Sequence, residues 1–159
     1  MLLQMLKICG FHPIVAVVGS EQKKQFCINL GADFVIVKDR QKSGEILWKT
    51  ADDISPDGYA AIFDANGLET LSASYNHLSR CGRLVTYGFH SNLPRQEQFL
   101  SPFEWVKMAI GLVQMPRFDP MGMVLDSRAV AGFNLSFFAD EHELIERYME
   151  QVRVLIFHC

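Results

Sequence analysis

The sequence predicts an α/β fold in which an open, doubly wound parallel sheet is covered by helices. Two observations lead to this prediction: short, continuous apolar runs alternate with segments of helical periodicity, and glycine or polar residues follow the apolar runs. Such alternation favours right-handed β-α-β crossovers. The 159 residues, of which 49% are hydrophobic, suffice for a single core and exclude two large domains.

The first two helix–strand pairs follow from periodicity and strand composition. Met1–Cys9 has leucines at helical spacing, and Gly10 is a typical helix end. Pro13–Val18 is apolar and rich in β-branched residues, which is typical of a strand buried on both faces of a parallel sheet. Glu21–Leu30 repeats the helical pattern, and Phe34–Val37 is a second strand of the buried type.

The middle of the chain continues the alternation. Ser43 is a suitable N-cap for a helix that runs through Trp48, and the Pro-Asp-Gly turn at 56–58 leads into a strand over Tyr59–Phe63. The remaining predicted elements are a helix over Glu69–Leu78 that Gly82 ends, a strand over Arg83–Tyr87, a helix over Phe103–Gln114, a strand over Arg128–Leu135 and an amphipathic helix over Asp140–Ile156.

Charge and composition exclude several classes of function. The chain has 15 Lys and Arg against 18 Asp and Glu, so a net charge of −3 gives no general attraction to nucleic acid or anionic lipid. Its apolar content exceeds that of disordered segments. Lys7 and the His12-Pro13 pair divide the N-terminal apolar run, and no basic residue precedes it, so neither a signal peptide nor an integral membrane segment is predicted.

The cysteines predict neither a metal site nor a disulfide framework. The four are widely spaced and form no C-x-x-C pair: Cys9, Cys27, Cys81 and Cys159. Reduced thiols and a cytoplasmic location are expected. We expect His77 and Cys81 to be packing residues on a helix.

Ligands of open parallel sheets bind at the carboxyl ends of the strands, so the strand tips are the candidate site. The tips are Gly19-Ser20, Lys38-Asp39, Asp64-Ala65-Asn66-Gly67, Gly88-Phe89-His90 and Phe133-Asn134-Leu135. Glycine at a tip allows a flat ligand to approach the backbone closely, although glycine also ends strands for purely conformational reasons.

Several short motifs occur together in one order. They are Leu30-Gly31-Ala32-Asp33 before the second strand, Phe63-Asp64 at a strand end, Gly82-Arg83-Leu84-Val85 running to Gly88, and the strand Arg128–Leu135. This set resembles the cofactor domain of medium-chain, zinc-type alcohol dehydrogenase-like proteins, and within them the zinc-independent quinone oxidoreductase branch. The resemblance extends from Met1 to about Val154 and implies a Rossmann-like domain that binds NADP.

The resemblance implies an adenosine site at the tip of the first predicted strand. Dinucleotide folds that bind NAD place an acidic residue at the tip of their second strand, to which this strand corresponds in the resemblance. The tip here ends in Ser20, which favours NADP. We expect Ser20 to donate a hydrogen bond to the 2′-phosphate, Lys23 or Lys24 to supply positive charge, and Lys38 to contact adenine or phosphate. Lys23 and Lys24 are also consistent with an ordinary solvent-exposed helix face that binds no ligand. The Glu21 carboxylate would repel a phosphate.

The resemblance places the nicotinamide at the other strand tips. The residues expected to line the ring and its ribose are Asn66, Gly88, Phe89, His90, Phe133, Asn134 and Leu135. Because the cofactor carries the hydride chemistry, no catalytic residue is predicted, and His90 and Asp64 are expected to be a loop residue and a strand-end residue. No metal ligand is predicted either.

The resemblance also implies that residues 1–159 form only part of an NADP-binding domain. Family members begin this domain with a strand and a glycine-rich, phosphate-binding turn, and they place a GroES-like catalytic domain before it. Neither is recognisable in this sequence. We therefore expect weak or no binding of NADP by this chain and no turnover by itself.

Two functions remain open at this point. In the complete protein, the resemblance implies hydride transfer from NADPH to a small-molecule quinone or activated alkene. The alternative is a non-catalytic interaction or regulatory module on the same fold, which exposed apolar surface would favour. A methyltransferase is a weaker option, because it also needs a glycine-rich turn after its first strand.

The open sheet edge also allows a homodimer.

Overall fold

The computed structural model describes residues 1–38, 44–88, 115–134 and 140–157, together with helical residues at 106, 109, 110 and 113. The chain divides into two compact units, one of residues 1–56 and 136–159 and one of residues 57–135. Each unit has a parallel sheet, two-stranded in the first and three-stranded in the second, where the sequence predicts a single sheet. The α/β class and the parallel pairing are as predicted.

The helices and strands alternate along the chain. In order they are α1 (Leu2–Ile8), β1 (Val15–Val18), α2 (Gln22–Asn29), β2 (Phe34–Val37), α3 (Gly44–Ile54), β3 (Tyr59–Asp64), α4 (Leu68–Asn76), β4 (Leu78–Thr86), α5 (Pro120–Asp126), β5 (Ala129–Gly132) and α6 (His142–Phe157). The helix predicted over 103–114 lies mostly outside the described residues. Among the helices that the structure describes, none is long and apolar enough to span a membrane.

The first unit is built on the pairing of β1 with β2. Val15 lies opposite Phe34, and the register continues to Val18 opposite Val37. The buried apolar residues of this unit are Ile14, Ala16, Ala32, Ile36 and Ala51. The prediction that both faces of these strands are buried was wrong for Val17, which is 52% exposed, and for Phe34, which is 46% exposed. A sheet of only two strands offers little area on which other elements can pack, so its two faces are not both covered.

Asp33 joins the segment before β1 to the segment before β2. Its Oδ2 accepts the backbone N–H of Ile14 at 2.6 Å and lies 3.0 Å from Nδ1 of His12. The Ile14 carbonyl accepts the N–H of Asp33 in return, at 2.8 Å. The hydrogen bond from Ile14 lowers the pKa of Asp33 from its ordinary value of 3.8; partial burial opposes this, and the charges of His12 and Lys7 reinforce it.

The second unit is built around β4, which pairs with β3 on one side and β5 on the other. Leu84, in the middle of β4, is fully buried at 0% exposure. The core cluster is Leu71, Leu78 and Leu84, surrounded by Ile62, Leu68, Tyr75, Phe118 and Val130. Tyr75 packs on Phe118 with ring centroids 5.1 Å apart, and the Arg128 guanidinium lies 5.6 Å from the Tyr75 ring centre.

The predicted boundary between α4 and β4 was wrong. The helix ends at Asn76 and the strand begins at Leu78, because Leu78 is only 2% exposed and belongs to the core. Cys81 therefore lies in the strand, where its φ of 61° belongs to an irregularity in the register with β3. Gly82 ends no helix: a Cβ there would lie 2.9 Å from the Tyr59 carbonyl oxygen, so the close approach of β3 requires glycine.

Helix α5 was not predicted, although its start signal is in the sequence. Asp119 is the N-cap, with Oδ1 accepting the N–H of Met121 at 3.1 Å and Oδ2 accepting the N–H of Gly122 at 2.9 Å. Pro120 occupies the first turn, where its missing N–H costs no helical hydrogen bond. The Asp-Pro pair therefore fixes where α5 begins and leads the chain into β5.

Replacing Asp33 by Asn is expected to lower the free energy of unfolding at neutral pH, because Asn keeps an acceptor for Ile14 but loses the charge facing His12. A lowered folded-state pKa means that the carboxylate stabilises the fold above its ordinary pKa of 3.8 and that this stabilisation is lost as the pH falls through the lowered value. Urea unfolding at neutral and acid pH measures the difference between the variant and the unaltered chain.

The control for this experiment is Asp53→Asn, at an exposed position of α3. The difference caused by Asp33→Asn should shrink in acid, while that caused by Asp53→Asn should stay small throughout. A difference for Asp33→Asn that is the same at neutral and acid pH would contradict the assignment.

Candidate functional site

In the first unit, the strand tips bring three of the predicted residues to one edge. The Lys38 N–H donates to the Val18 carbonyl at 2.7 Å, so the pairing of β1 and β2 continues to the point where both strands end. Ser20 follows two residues after Val18, and its carbonyl accepts the N–H of Lys23 at 3.1 Å. Gly19 has open space where a Cβ would stand. This edge therefore combines a hydroxyl, two lysines and uncrowded backbone.

The charged residues of α2 differ in how they are engaged. Nζ of Lys24 lies 3.8 Å from Oε1 of Glu21, in a solvent-exposed pair that contributes little stability. Among ion pairs between described residues, none involves Lys23. The carboxylate of Glu21, which would oppose a phosphate, thus lies beside the ammonium of Lys24.

In the second unit, three strand tips are tied together by backbone hydrogen bonds. The Tyr87 N–H donates to the Asp64 carbonyl at 3.0 Å, which joins the tips of β3 and β4. The Phe133 N–H donates to the Thr86 carbonyl at 2.9 Å, which joins the tips of β4 and β5. The predicted residues Asn66, Gly88, Phe133 and Asn134 all lie along this edge. Phe89, His90 and Leu135 lie outside the described residues.

Asp64 is buried beneath this edge, with 4% of its surface exposed. Its Oδ1 accepts the backbone N–H groups of Asn66 at 2.8 Å and Gly67 at 3.1 Å. Its Oδ2 accepts the hydroxyls of Thr70 at 2.7 Å and Ser74 at 2.8 Å. Each carboxylate oxygen therefore receives two hydrogen bonds, an arrangement suited to holding structure rather than to exchanging protons with a substrate.

Sequence reasoning missed Thr70 and Ser74. The signal that marks them is their spacing: they are four residues apart, on one face of α4, and the acidic residue they contact ends the preceding strand.

The glycines of the edge differ in what surrounds them. A Cβ on Gly88 would lie 2.6 Å from the carbonyl oxygen of Ala65, so glycine there allows two backbones of the protein to meet. A Cβ on Gly132 would meet nothing within 4 Å. Gly88 therefore serves internal packing, whereas no residue that the structure describes crowds the space beside Gly132.

No metal centre is found in the part of the chain that the structure describes. Within residues 1–38, 44–88, 115–134 and 140–157, no three His, Cys, Asp or Glu side chains lie close enough together to hold an ion. The polar groups at the two candidate edges are a hydroxyl, lysine ammonium groups, side-chain amides and backbone groups.

Gly88→Ala is expected to reduce the free energy of unfolding by about 1 to 3 kcal/mol, because the methyl group forces the backbones of β3 and β4 apart. Gly132→Ala is the matched control: it adds the same methyl group to the same edge, in open space, and should change stability little. Urea unfolding of both variants measures the difference. Equal losses of stability in the two variants would show that the packing of Gly88 on Ala65 has been misassigned.

The chain is similar to solved oxidoreductase structures. A mycobacterial protein, Rv1454c, complexed with NADPH has a TM-score of 0.63 at 18% identity over 97% of this chain and 40% of its own. Quinone oxidoreductase from Escherichia coli, complexed with NADPH, has a TM-score of 0.59 at 19% identity over 96% of this chain and 40% of its own. Benzyl alcohol dehydrogenase from Acinetobacter calcoaceticus has a TM-score of 0.56 at 20% identity over 94% of this chain and 36% of its own.

These likenesses confirm the predicted Rossmann-like α/β fold, and the chain spans about two fifths of the length of the solved structures it matches. No curated protein sequence matches the chain. A family model described as zinc-binding dehydrogenase matches residues 1–150, which is most of the 159-residue chain. The chain therefore belongs to the zinc-binding dehydrogenase family, within the medium-chain dehydrogenase/reductase superfamily that its motifs resemble.

Proposed function

We propose that the chain is the cofactor-binding part of an NADPH-dependent oxidoreductase that reduces quinones or activated alkenes. The observation that supports NADPH most directly is the edge formed by Ser20, Lys23 and Lys38. It presents a hydroxyl and positive charge at the tip of β1, where NAD-binding folds carry an acidic residue. The NADPH complexes among the similar structures support the same choice.

Each residue of this edge has a role in the proposal. The Ser20 hydroxyl donates a hydrogen bond to the 2′-phosphate, and the Lys23 ammonium supplies positive charge beside it. Lys38 contacts the adenine or the phosphate from the neighbouring strand tip. Lys24 contributes less, because Glu21 already lies 3.8 Å from its ammonium.

The edge of the second unit takes the nicotinamide end in this proposal. Asn66, Gly88, Phe133 and Asn134 position the ring and its ribose, together with Phe89, His90 and Leu135, which the sequence analysis assigns to the same end. The cofactor, when bound, supplies the hydride. The chain's contribution is orientation of the ring, because Asp64 already receives four hydrogen bonds and has no remaining role as an acid or base.

Catalysis in this proposal needs a second, GroES-like domain in addition to residues 1–159. The similar structures are about two and a half times as long as the segment that matches, since that segment is 40% of their length. The chain by itself is proposed to bind NADPH weakly, at about millimolar concentration, and to reduce no quinone. Zinc-independent chemistry and a cytoplasmic location also belong to the proposal; the free thiols of Cys9, Cys27 and Cys81 suit a reducing compartment.

Lys23→Glu is expected to weaken the affinity for NADPH by about tenfold and to leave the affinity for NADH nearly unchanged, because only NADPH carries the 2′-phosphate. The measurement is the shift of backbone amide NMR signals during titrations with each cofactor at millimolar concentration. Lys49→Glu, on the exposed surface of α3, is the control for the same change in charge. Equal loss of NADPH and NADH binding would contradict the assignment of Lys23, and no shift at the tips of β1 and β2 in the unaltered chain would contradict the proposed weak binding by this chain.

Exposed apolar residues favour the second candidate, a non-catalytic interaction module. On one face of α5, Met121 is 67% exposed, Val124 73% and Leu125 77%. If the chain is such a module, size-exclusion chromatography should show a defined monomer or dimer with a cooperative unfolding transition. Soluble aggregates without a transition would favour part of a longer enzyme instead.

A further inference from the structure

We infer that Asp64 is a positioning residue for the edge that contains Asn66 and Gly88. This inference rests on the proposed function, because it assigns to Asp64 the task of holding the backbone that faces the nicotinamide end. Asp64 itself is not exposed to a ligand, since 4% of its surface is accessible and both carboxylate oxygens are filled.

The turn after β3 needs an internal support because its helix has no side chain at the N-cap. Gly67 is the N-cap of α4, with φ of 92° and ψ of −135°, a conformation that only glycine adopts readily. Oδ1 of Asp64 accepts the N–H groups of Asn66 and Gly67 and thereby fixes the turn from within. The support that an N-cap side chain usually provides comes here from three residues earlier.

The other carboxylate oxygen fixes Asp64 to α4. Thr70 and Ser74 donate their hydroxyls to Oδ2 from successive turns of the helix, and Ser74 is only 2% exposed. The carboxylate is therefore held by the helix on one side and holds the turn on the other. Asp64 accepts hydrogen bonds from Thr70 and Ser74 and from Asn66, so a change on α4 is expected to reach Asn66 through Asp64.

The same residue sets the distance between the tips of β3 and β4. Its carbonyl accepts the Tyr87 N–H, and the following carbonyl, that of Ala65, occupies the space beside Gly88. Movement of the turn would therefore displace Gly88 as well as Asn66. Positioning errors of about 1 Å at such a site cost up to about a hundredfold in function.

The test compares amide hydrogen exchange and NADPH binding in the full chain. In Asp64→Ala, the amides of Asn66, Gly67 and Tyr87 should exchange about tenfold faster relative to that of Leu84, and NADPH should bind about tenfold more weakly than to the unaltered chain. Asp64→Asn should restore most of the slow amide exchange and most of the NADPH affinity, because its amide oxygen still accepts the N–H groups of Asn66 and Gly67. Val130→Ala, which loosens the core cluster away from the turn, is the stability control.

A second variant covers the case in which Asp64→Ala does not fold. Thr70→Val combined with Ser74→Ala leaves Asp64 in place and should still speed exchange at Asn66 and Gly67. Unchanged exchange there would overturn the inference, as would a loss of NADPH affinity no greater than that of Val130→Ala. Failure of the unaltered chain to bind NADPH would be a different result: it would contradict the proposed weak binding by this chain, and the exchange rates at Asn66 and Gly67 would then decide the inference alone.

Discussion

The position of β4 between two parallel neighbours is the constraint on which the second unit depends. A central strand must satisfy its backbone groups on both sides and bury side chains on its faces, and Leu84 at 0% exposure meets that demand. Because parallel strands all end at the same edge, this pairing also brings the segments after β3, β4 and β5 together. The candidate nicotinamide edge thus results from the same strand pairing that buries Leu84 in the core.

Elements that local sequence patterns decide were predictable, and elements whose bounds depend on tertiary packing were not. Phe34–Val37 is a strand with the predicted bounds, because its composition and flanking residues agree. The start of β4 was misplaced, because Leu78 continues a helical pattern but is drawn into the core, and Gly82 imitates a helix stop while serving a strand contact. Asp119-Pro120 carried a usable start signal that was overlooked.

The candidate site was predictable to the extent that topology alone places it. The rule that ligands meet strand tips gave Ser20, Asn66 and Gly88 without knowledge of any contact. The roles of individual residues needed the structure: only the structure shows that the Ala65 carbonyl fills the space beside Gly88. The spacing of Thr70 and Ser74 on α4 was visible in the sequence, but only the structure shows that both hydroxyls donate to Asp64.

The starts of α2 and α4 present opposite electrostatic surroundings. Just before α4, the buried Asp64 carboxylate accepts the N–H groups of Asn66 and of the N-cap Gly67, so an anion that approaches the start of this helix meets like charge. No side chain caps α2, and Glu21 at its start is directed to Lys24, so the positive end of that helix and the Lys23 ammonium remain attractive to phosphate. Charge alone therefore makes the start of α2 the more favourable surroundings for a phosphate and the start of α4 the less favourable.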